Sequence, residues 1–234
     1  MMENQYKHIE ENIKRIKNNI YEAAIKAGRN PDEITLMAVT KTRTCEEVNK
    51  AISCGINLLG ENRVQEYLKR AEGYDKSNVH LIGHLQSNKV KQIVGKVSMI
   101  ESVDSLKLAE EIDKQSRNLG IVTDILMEIN IGEEESKSGI DKKEALSLAE
   151  SIGQLKNIKL KGLMTIPPRC EEKQIEYYFD DIYKLYIDIK GEKIDNIDMS
   201  VISMGMSSDY ELAVKHGSNI VRVGTGIFGA RPAL

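Results

Sequence analysis

The sequence predicts an α/β fold, a parallel (β/α)8 barrel, from three observations. Short apolar runs alternate with amphipathic helical patterns from residue 34 to residue 223, giving eight strand candidates. Each but the last leads clearly into a helix, an alternation that means parallel strands joined by right-handed crossovers. The chain has 234 residues, close to the ~250 of an eightfold barrel. An open doubly wound sheet is the alternative, because one strand more or fewer changes the count.

Taken in order, the first element is a helix from Glu3 to Gly28. Its Ile9, Ile13, Ile16 and Ile20, followed by Ala23, Ala24 and Ala27, recur at three- and four-residue steps. Gly28 and then Pro31 stop it. It precedes the first strand, so it is an addition to the repeat or a lid over the bottom face. The strand Ile34–Thr40 follows, with a helix at Thr44–Ser53. Residues Asn57–Gly60 lead to a helix opening at Glu61-Asn62, with Asn62 as its N-cap. His80–Gly83 precedes a short helix Ser87–Val94, and Val97–Glu101 precedes Ser105–Asn118. Val122–Ile131 is followed by Asp141–Ser151, and Ile158–Met164 by Glu171–Lys190. Asp198–Met204 with Asp209–His216, and then Ile220–Val223, complete the series. No Pro/Gly/Ser-rich linker divides the chain, and residues 1–234 read as one domain.

Composition narrows the function. The net charge of −3 offers no basic field for nucleic acid, and with no Trp and two Phe a base-stacking surface is not expected. No apolar run is long enough to span a bilayer. Three cysteines, Cys45, Cys54 and Cys170, lack metal-ligand spacing and fit a reduced, cytoplasmic compartment. His80 and His84 stand on a strand and its turn, where they share no face for zinc.

Chemistry is expected where the strand ends converge. Lys41 closes the run ITLMAVTK, at the carboxyl end of strand one. A lysine against an apolar wall is pushed towards its neutral, nucleophilic amine, the form a Schiff base needs. A lysine that simply leaves the sheet for solvent is the plain alternative. Glu128 and Asn130 share a parity and read as a polar layer inside the barrel. After strand seven comes Ser203-Met204-Gly205-Met206-Ser207-Ser208, and after strand eight Arg222-Val223-Gly224-Thr225-Gly226. Two glycine-containing turns with hydroxyls at these strand ends make the usual phosphate site of such a barrel. A helix starting near Ser207 would add its dipole. An amine at strand one and a phosphate cup at strands seven and eight suggest pyridoxal 5′-phosphate.

The segments AVTKTR, GENRVQE, HLIGHLQSNK, NIGEEESKSGI, GLMTIPP, SMGMSSDYELAVKHGS and VRVGTGIFGAR resemble the YggS/PROSC family of pyridoxal phosphate homeostasis proteins. The resemblance runs in order from Ile34 to Arg231. It implies the barrel of the alanine racemase N-terminal domain (fold type III among pyridoxal phosphate proteins), without the racemase's second, β-rich domain. By motif, Lys41 is then the Schiff-base lysine, and Ser203, Ser207, Gly224 and Thr225 hold phosphate. Arg222 is set against the pyridine nitrogen, and Asn62 and Met164 line the cofactor. Arg43 stands where the family often has a second lysine, and Lys137 matches another family lysine. The implied role is supply or buffering of pyridoxal phosphate in the cytoplasm, by a monomer passing it to apoenzymes, without efficient catalysis. An amino-acid racemase and a Schiff-base aldolase are the rival readings.

Overall fold

The protein is described by a computed structural model covering residues 6–75, 77–134 and 138–230. Its eight parallel strands, β1 to β8, close a barrel in chain order. The strand count decides against the open sheet. Within the barrel two compact units are distinguished, Met1–Val79 with Met204–Leu234, and His80–Ser203.

The first unit holds β1 (Thr35–Val39), β2 (Leu58–Glu61) and β8 (Ile220–Val223). Leu36, Met37 and Ala38 are buried, as the apolar run requires. Ala38 registers with Leu59 of β2 on one side, and Met37 with Arg222 of β8 on the other. Helix α1 (Lys7–Lys26) buries the predicted stripe Ile9, Ile13, Ile16, Ile20, Ala23 and Ala24. Burying each isoleucine contributes roughly 1.5–3 kcal/mol. The helix is not a lid over the bottom: it packs along α2 (Cys45–Ser53), α8 (Tyr210–Lys215) and α9 (Thr225–Phe228). The reason is length. Helices α8 and α9 have six and four residues, too few to cover a strand, and α1 completes the layer there. Arg29, just past α1, donates to Val214 O and Ser218 O at 2.5 and 2.7 Å. Asn62 is not an N-cap: α3 (Val64–Arg70) starts later, with Arg63 in that place.

The second unit carries the long ladders. Strand β5 (Thr123–Ile129) pairs with β6 (Ile158–Thr165) from Thr123↔Ile158 to Ile129↔Thr165, with one register shift. Strand β4 (Met99–Val103) flanks β5, and β7 (Ile197–Ser203) flanks β6. Helix α7 (Glu172–Gly191) buries Phe179, Ile182, Tyr186 and Ile189, and the Tyr186 hydroxyl donates to Met199 O at 2.6 Å.

Candidate functional site

The ladder of β1 runs one residue past the strand, Thr40 N–H donating to Gly60 O at 3.1 Å. The Thr40 hydroxyl then donates to Glu61 Oε1 at 2.7 Å. Glu61 ends β2 and is 0% exposed. A bare carboxylate there would be untenable, and it has three further bonds. Tyr74 Oη donates to Oε1 at 2.7 Å, and Arg70 Nη2 to Oε1 and Oε2 at 3.4 and 3.1 Å. Burial first, then the charge of Glu61 and this hydrogen bond, push the Tyr74 phenol well above its ordinary pKa.

Arg70 does a second job. Its Nη1 donates to Arg43 O at 2.7 Å and to Thr40 O at 3.5 Å. Those carbonyls flank Lys41 and Thr42, so the lysine turn is braced on both sides. Lys41 is half-buried, while the exposed Thr42 has φ +65°. A β-branched residue in the left-handed region costs on the order of 1–3 kcal/mol, and persists only where the surroundings impose it.

Beyond β7, Met204 N–H donates to Ile220 O at 3.2 Å, and Arg222 N–H to Gly205 O at 2.9 Å. Gly205 has φ +92°, and a Cβ on it would stand 2.5 Å from Ala213 Cβ. No other residue fits there. Ser207 Oγ accepts the Gly226 N–H at 3.1 Å, tying the turn after β7 to the turn after β8. A Cβ on Gly226 would meet Val223 Cγ1 at 2.7 Å. A Cβ on Gly224 would meet Val39 at an ordinary 3.5 Å, so this turn lies against the end of β1, two residues before Lys41. Thr225 is exposed, and Arg222 is 3% exposed on β8. The helix predicted over Asp209–His216 is present, but it does not reach back to Ser207. Asp209 instead takes the Met206 N–H at 2.5 Å and the Ser208 hydroxyl at 3.2 Å, and α8 starts only at Tyr210. Its single short helix offers little dipole, so anion binding here rests on hydroxyls and turn amides.

Asn62 follows Glu61. Its Oδ1 is buried, with no hydrogen-bond partner among the described residues. Leaving such an atom unsatisfied costs about 1–3 kcal/mol, and a polar ligand at this strand end would remove that cost. Lys41, Asn62, Ser207, Arg222, Gly224 and Thr225 all belong to the first unit. Their donors, an amine, hydroxyls and a guanidinium, fit an aldehyde carrying a phosphate, and Asn62 Oδ1 adds an acceptor.

Ser203 and Met164 belong to the second unit. The Ser203 hydroxyl donates to Glu101 Oε2 at 2.6 Å, and His80 Nδ1 lies 2.6 Å from Glu101 Oε1. One hydroxyl has one proton, and this one is spent on a carboxylate rather than aimed at an anion. Met164 is fully buried against Met99, Leu126 and Val201, a packing position. The polar layer expected from Glu128 and Asn130 is also different. Asn130 folds back on its own loop, Nδ2 donating to Glu134 O at 2.8 Å. Lys137 lies outside the described residues. Sequence reading missed Arg70, Tyr74 and the bracing roles of Glu61 and Arg43. The only local signal for Arg70 was an arginine at the end of a helix.

Such a barrel, with a lysine after its first strand and glycine–hydroxyl turns after its last two, is of the alanine racemase class. Residues 8–232 match the family alanine racemase, N-terminal domain. Within it the chain belongs to the pyridoxal phosphate homeostasis protein family. It is 40% identical over 224 residues to the pyridoxal phosphate homeostasis protein of Aquifex aeolicus, covering 94% of this chain and 97% of that protein. It also resembles the structure of PipY from Synechococcus elongatus with PLP bound, at TM-score 0.82 and 29% identity, over 94% and 100% of the two chains. A Clostridium difficile alanine racemase shares the fold, with TM-score 0.76 and 19% identity over 97% of this chain and 58% of that one. No helix among the described residues is long and apolar enough to cross a membrane.

Proposed function

We propose that this protein binds pyridoxal 5′-phosphate reversibly and covalently at Lys41, and holds it for supply to apoenzymes without turning over amino acids. The observation that carries this is the glycine turn at Gly224 lying against Val39, which brings a phosphate-type turn beside the end of the strand that leads to Lys41. The names of the relatives support the role, and PipY with PLP bound supports the ligand. When bound, the cofactor supplies an aldehyde carbon that accepts an amine. Lys41 is that amine, held in place by the turn that Arg70 braces. The hydroxyls of Ser207 and Thr225, with the backbone around Gly224, hold the phosphate. Arg222 keeps a permanent positive charge on β8, and beside a pyridine nitrogen it disfavours a second one. Asn62 offers its unsatisfied acceptor Oδ1, Met164 supplies packing, and Ser203 acts indirectly, through Glu101. The protein works as a monomer in the cytoplasm.

The test is to load the purified protein, reduce with borohydride and map the adduct. Modification of Lys41 is expected; modification mainly at Lys89 or Lys137 would sink the assignment. Pyridoxal without phosphate is expected to bind much more weakly, since losing one hydrogen bond to a charged group alone costs roughly ten- to a hundredfold in affinity. Racemisation of single amino-acid enantiomers at an ordinary enzyme rate, on the order of 1–10³ s⁻¹, would replace the carrier with a racemase.

A further inference from the structure

Arg43 stands two residues after Lys41 and is only 6% exposed. A buried guanidinium needs a counter-charge and acceptors for its donors. Among the described residues these lie in two places only, α2 and the end of α9. Nη1 donates to Glu47 Oε1 and to Phe228 O, each at 3.3 Å. Nη2 donates to Gly229 O at 2.5 Å and to Ala230 O at 3.2 Å. The guanidinium also lies over the Phe228 ring, 5.5 Å from its centre. Glu47 is fixed in turn by a capping box, its Oε2 accepting the Thr44 N–H at 2.9 Å. Asn12 of α1 takes the neighbouring carbonyl, Nδ2 donating to Ile227 O at 3.0 Å. Two side chains therefore occupy four successive carbonyls, 227 to 230.

Helix α9 needs this support. A single turn of four residues cannot hold itself, because ordering its dihedrals costs more than its few hydrogen bonds return. Its first residues are held through Gly226 and Ser207, and its last by Asn12 and Arg43. Arg43 in turn is carried by the same turn as Lys41, whose backbone Arg70 braces at Thr40 O and Arg43 O. One side chain thus joins the amine-bearing turn to the turn that contains Thr225.

We propose that Arg43 is a positioning residue that couples the Lys41 turn to the Thr225–Phe228 turn, fixing the separation between the amine and the phosphate subsite. The proposal rests on the phosphate reading given above. It also makes position 43 a brace in this chain rather than a second amine. A planar fork reaches three carbonyls and a carboxylate at once; an ammonium offers its donors from a single point.

The experiment compares wild type, R43Q and R43K. It measures affinity for pyridoxal phosphate and for pyridoxal, amide hydrogen exchange over residues 225–230, and borohydride adduct position. R43Q is expected to lose about fivefold or more in affinity for the phosphorylated form, the lower end of ordinary site-to-site coupling. Its pyridoxal affinity should stay near wild type, and exchange over 225–230 should quicken. R43K should show a smaller loss in the same ratio, with every adduct on Lys41. An R43Q protein that keeps the wild-type ratio of the two affinities overturns the coupling, whatever its exchange. Trapping on residue 43 in R43K overturns it too, because that side chain would then reach the cofactor. If R43Q fails to fold, the ratio and adduct in R43K decide alone. A wild type that binds both forms equally overturns the phosphate reading and the coupling with it, whereas a discriminating wild type beside an equally discriminating R43Q overturns the coupling only.

Discussion

Each unit of the barrel buries one glutamate completely, and the two are satisfied in different ways. Glu61 has an arginine, a phenol and a threonine hydroxyl, and through Arg70 it reaches the backbone on either side of Lys41. Glu101 has a histidine and the Ser203 hydroxyl. The first carboxylate is matched by a permanent charge, the second by groups whose charge is zero or depends on protonation. A permanent buried pair is rigid and makes its surroundings rigid, at a large desolvation cost. The Glu101 network joins His80, β4 and Ser203 at the end of β7 inside the second unit. The comparison teaches that the buried carboxylate matched by a permanent charge is the one tied to the lysine turn, while the other is satisfied by a histidine and a hydroxyl that link elements within their own unit.

The largest break in this comparison is Arg70→Ala. It strands Glu61 without its counter-charge and releases two carbonyls of the lysine turn. A loss of about 3 kcal/mol is expected, the low end for a broken buried pair because Arg70 keeps 19% of its side chain exposed. Urea unfolding measures it, and a loss below that of Glu61→Gln would undo the argument. Borohydride trapping at Lys41 should also slow.

Glu101→Gln should cost less, about 1–2 kcal/mol by the same unfolding measurement, since an amide can still bond to both neighbours. Trapping at Lys41 should be unaffected. An effect on trapping as large as that of Arg70→Ala would erase the distinction between the two networks.

The smallest expected effect sharpens the Glu61 side through pH. Tyr74 is raised above its ordinary 10.0 by burial, then by the charge of Glu61 and the bond it donates, with Arg70 opposing. The unfolded chain therefore releases this proton first as pH rises. Stability from this group is complete below the ordinary tyrosine value and is lost progressively above it. Tyr74→Phe should be slightly less stable at neutral pH, and its stability should fall less steeply in alkali. Equal slopes for the two proteins would show that the Tyr74 phenol titrates alike in the folded and unfolded chain, and would overturn the upward shift.

Much of the fold was legible because it is written at short range. The isoleucine stripe of α1 needs only periodicity, and the eight strands sit within a few residues of their apolar runs. Lys41 and Gly224 were singled out from sequence because a barrel sends all its strand ends to one face, and the Gly224 turn does lie against the end of β1. Asn62 was picked as an N-cap, yet its neighbour Arg63 holds that place, since side-chain type alone does not fix where a helix starts. The helix predicted over Asp209–His216 is present as Tyr210–Lys215, three residues later than the start near Ser207 that would have aimed its dipole at the turn. Asp209 captures the Met206 N–H, which makes a turn where helix would have begun.

What the sequence settled by itself was the alternation of strand and helix, the barrel, and the residue types gathered at strands one, seven and eight. These follow from periodicity and strand polarity, both local. Only the tertiary structure decided which partner each polar group takes. Ser203 and Ser207 look alike in the same motif, but one gives its proton to Glu101 and the other receives Gly226. Arg43 sits beside Lys41 in sequence, yet its guanidinium bonds to carbonyls 185 to 187 residues away. Hydrogen bonds are directional and short, so a polar residue's role depends on which partner the fold places within about 3 Å, and no pattern of neighbours along the chain carries that information.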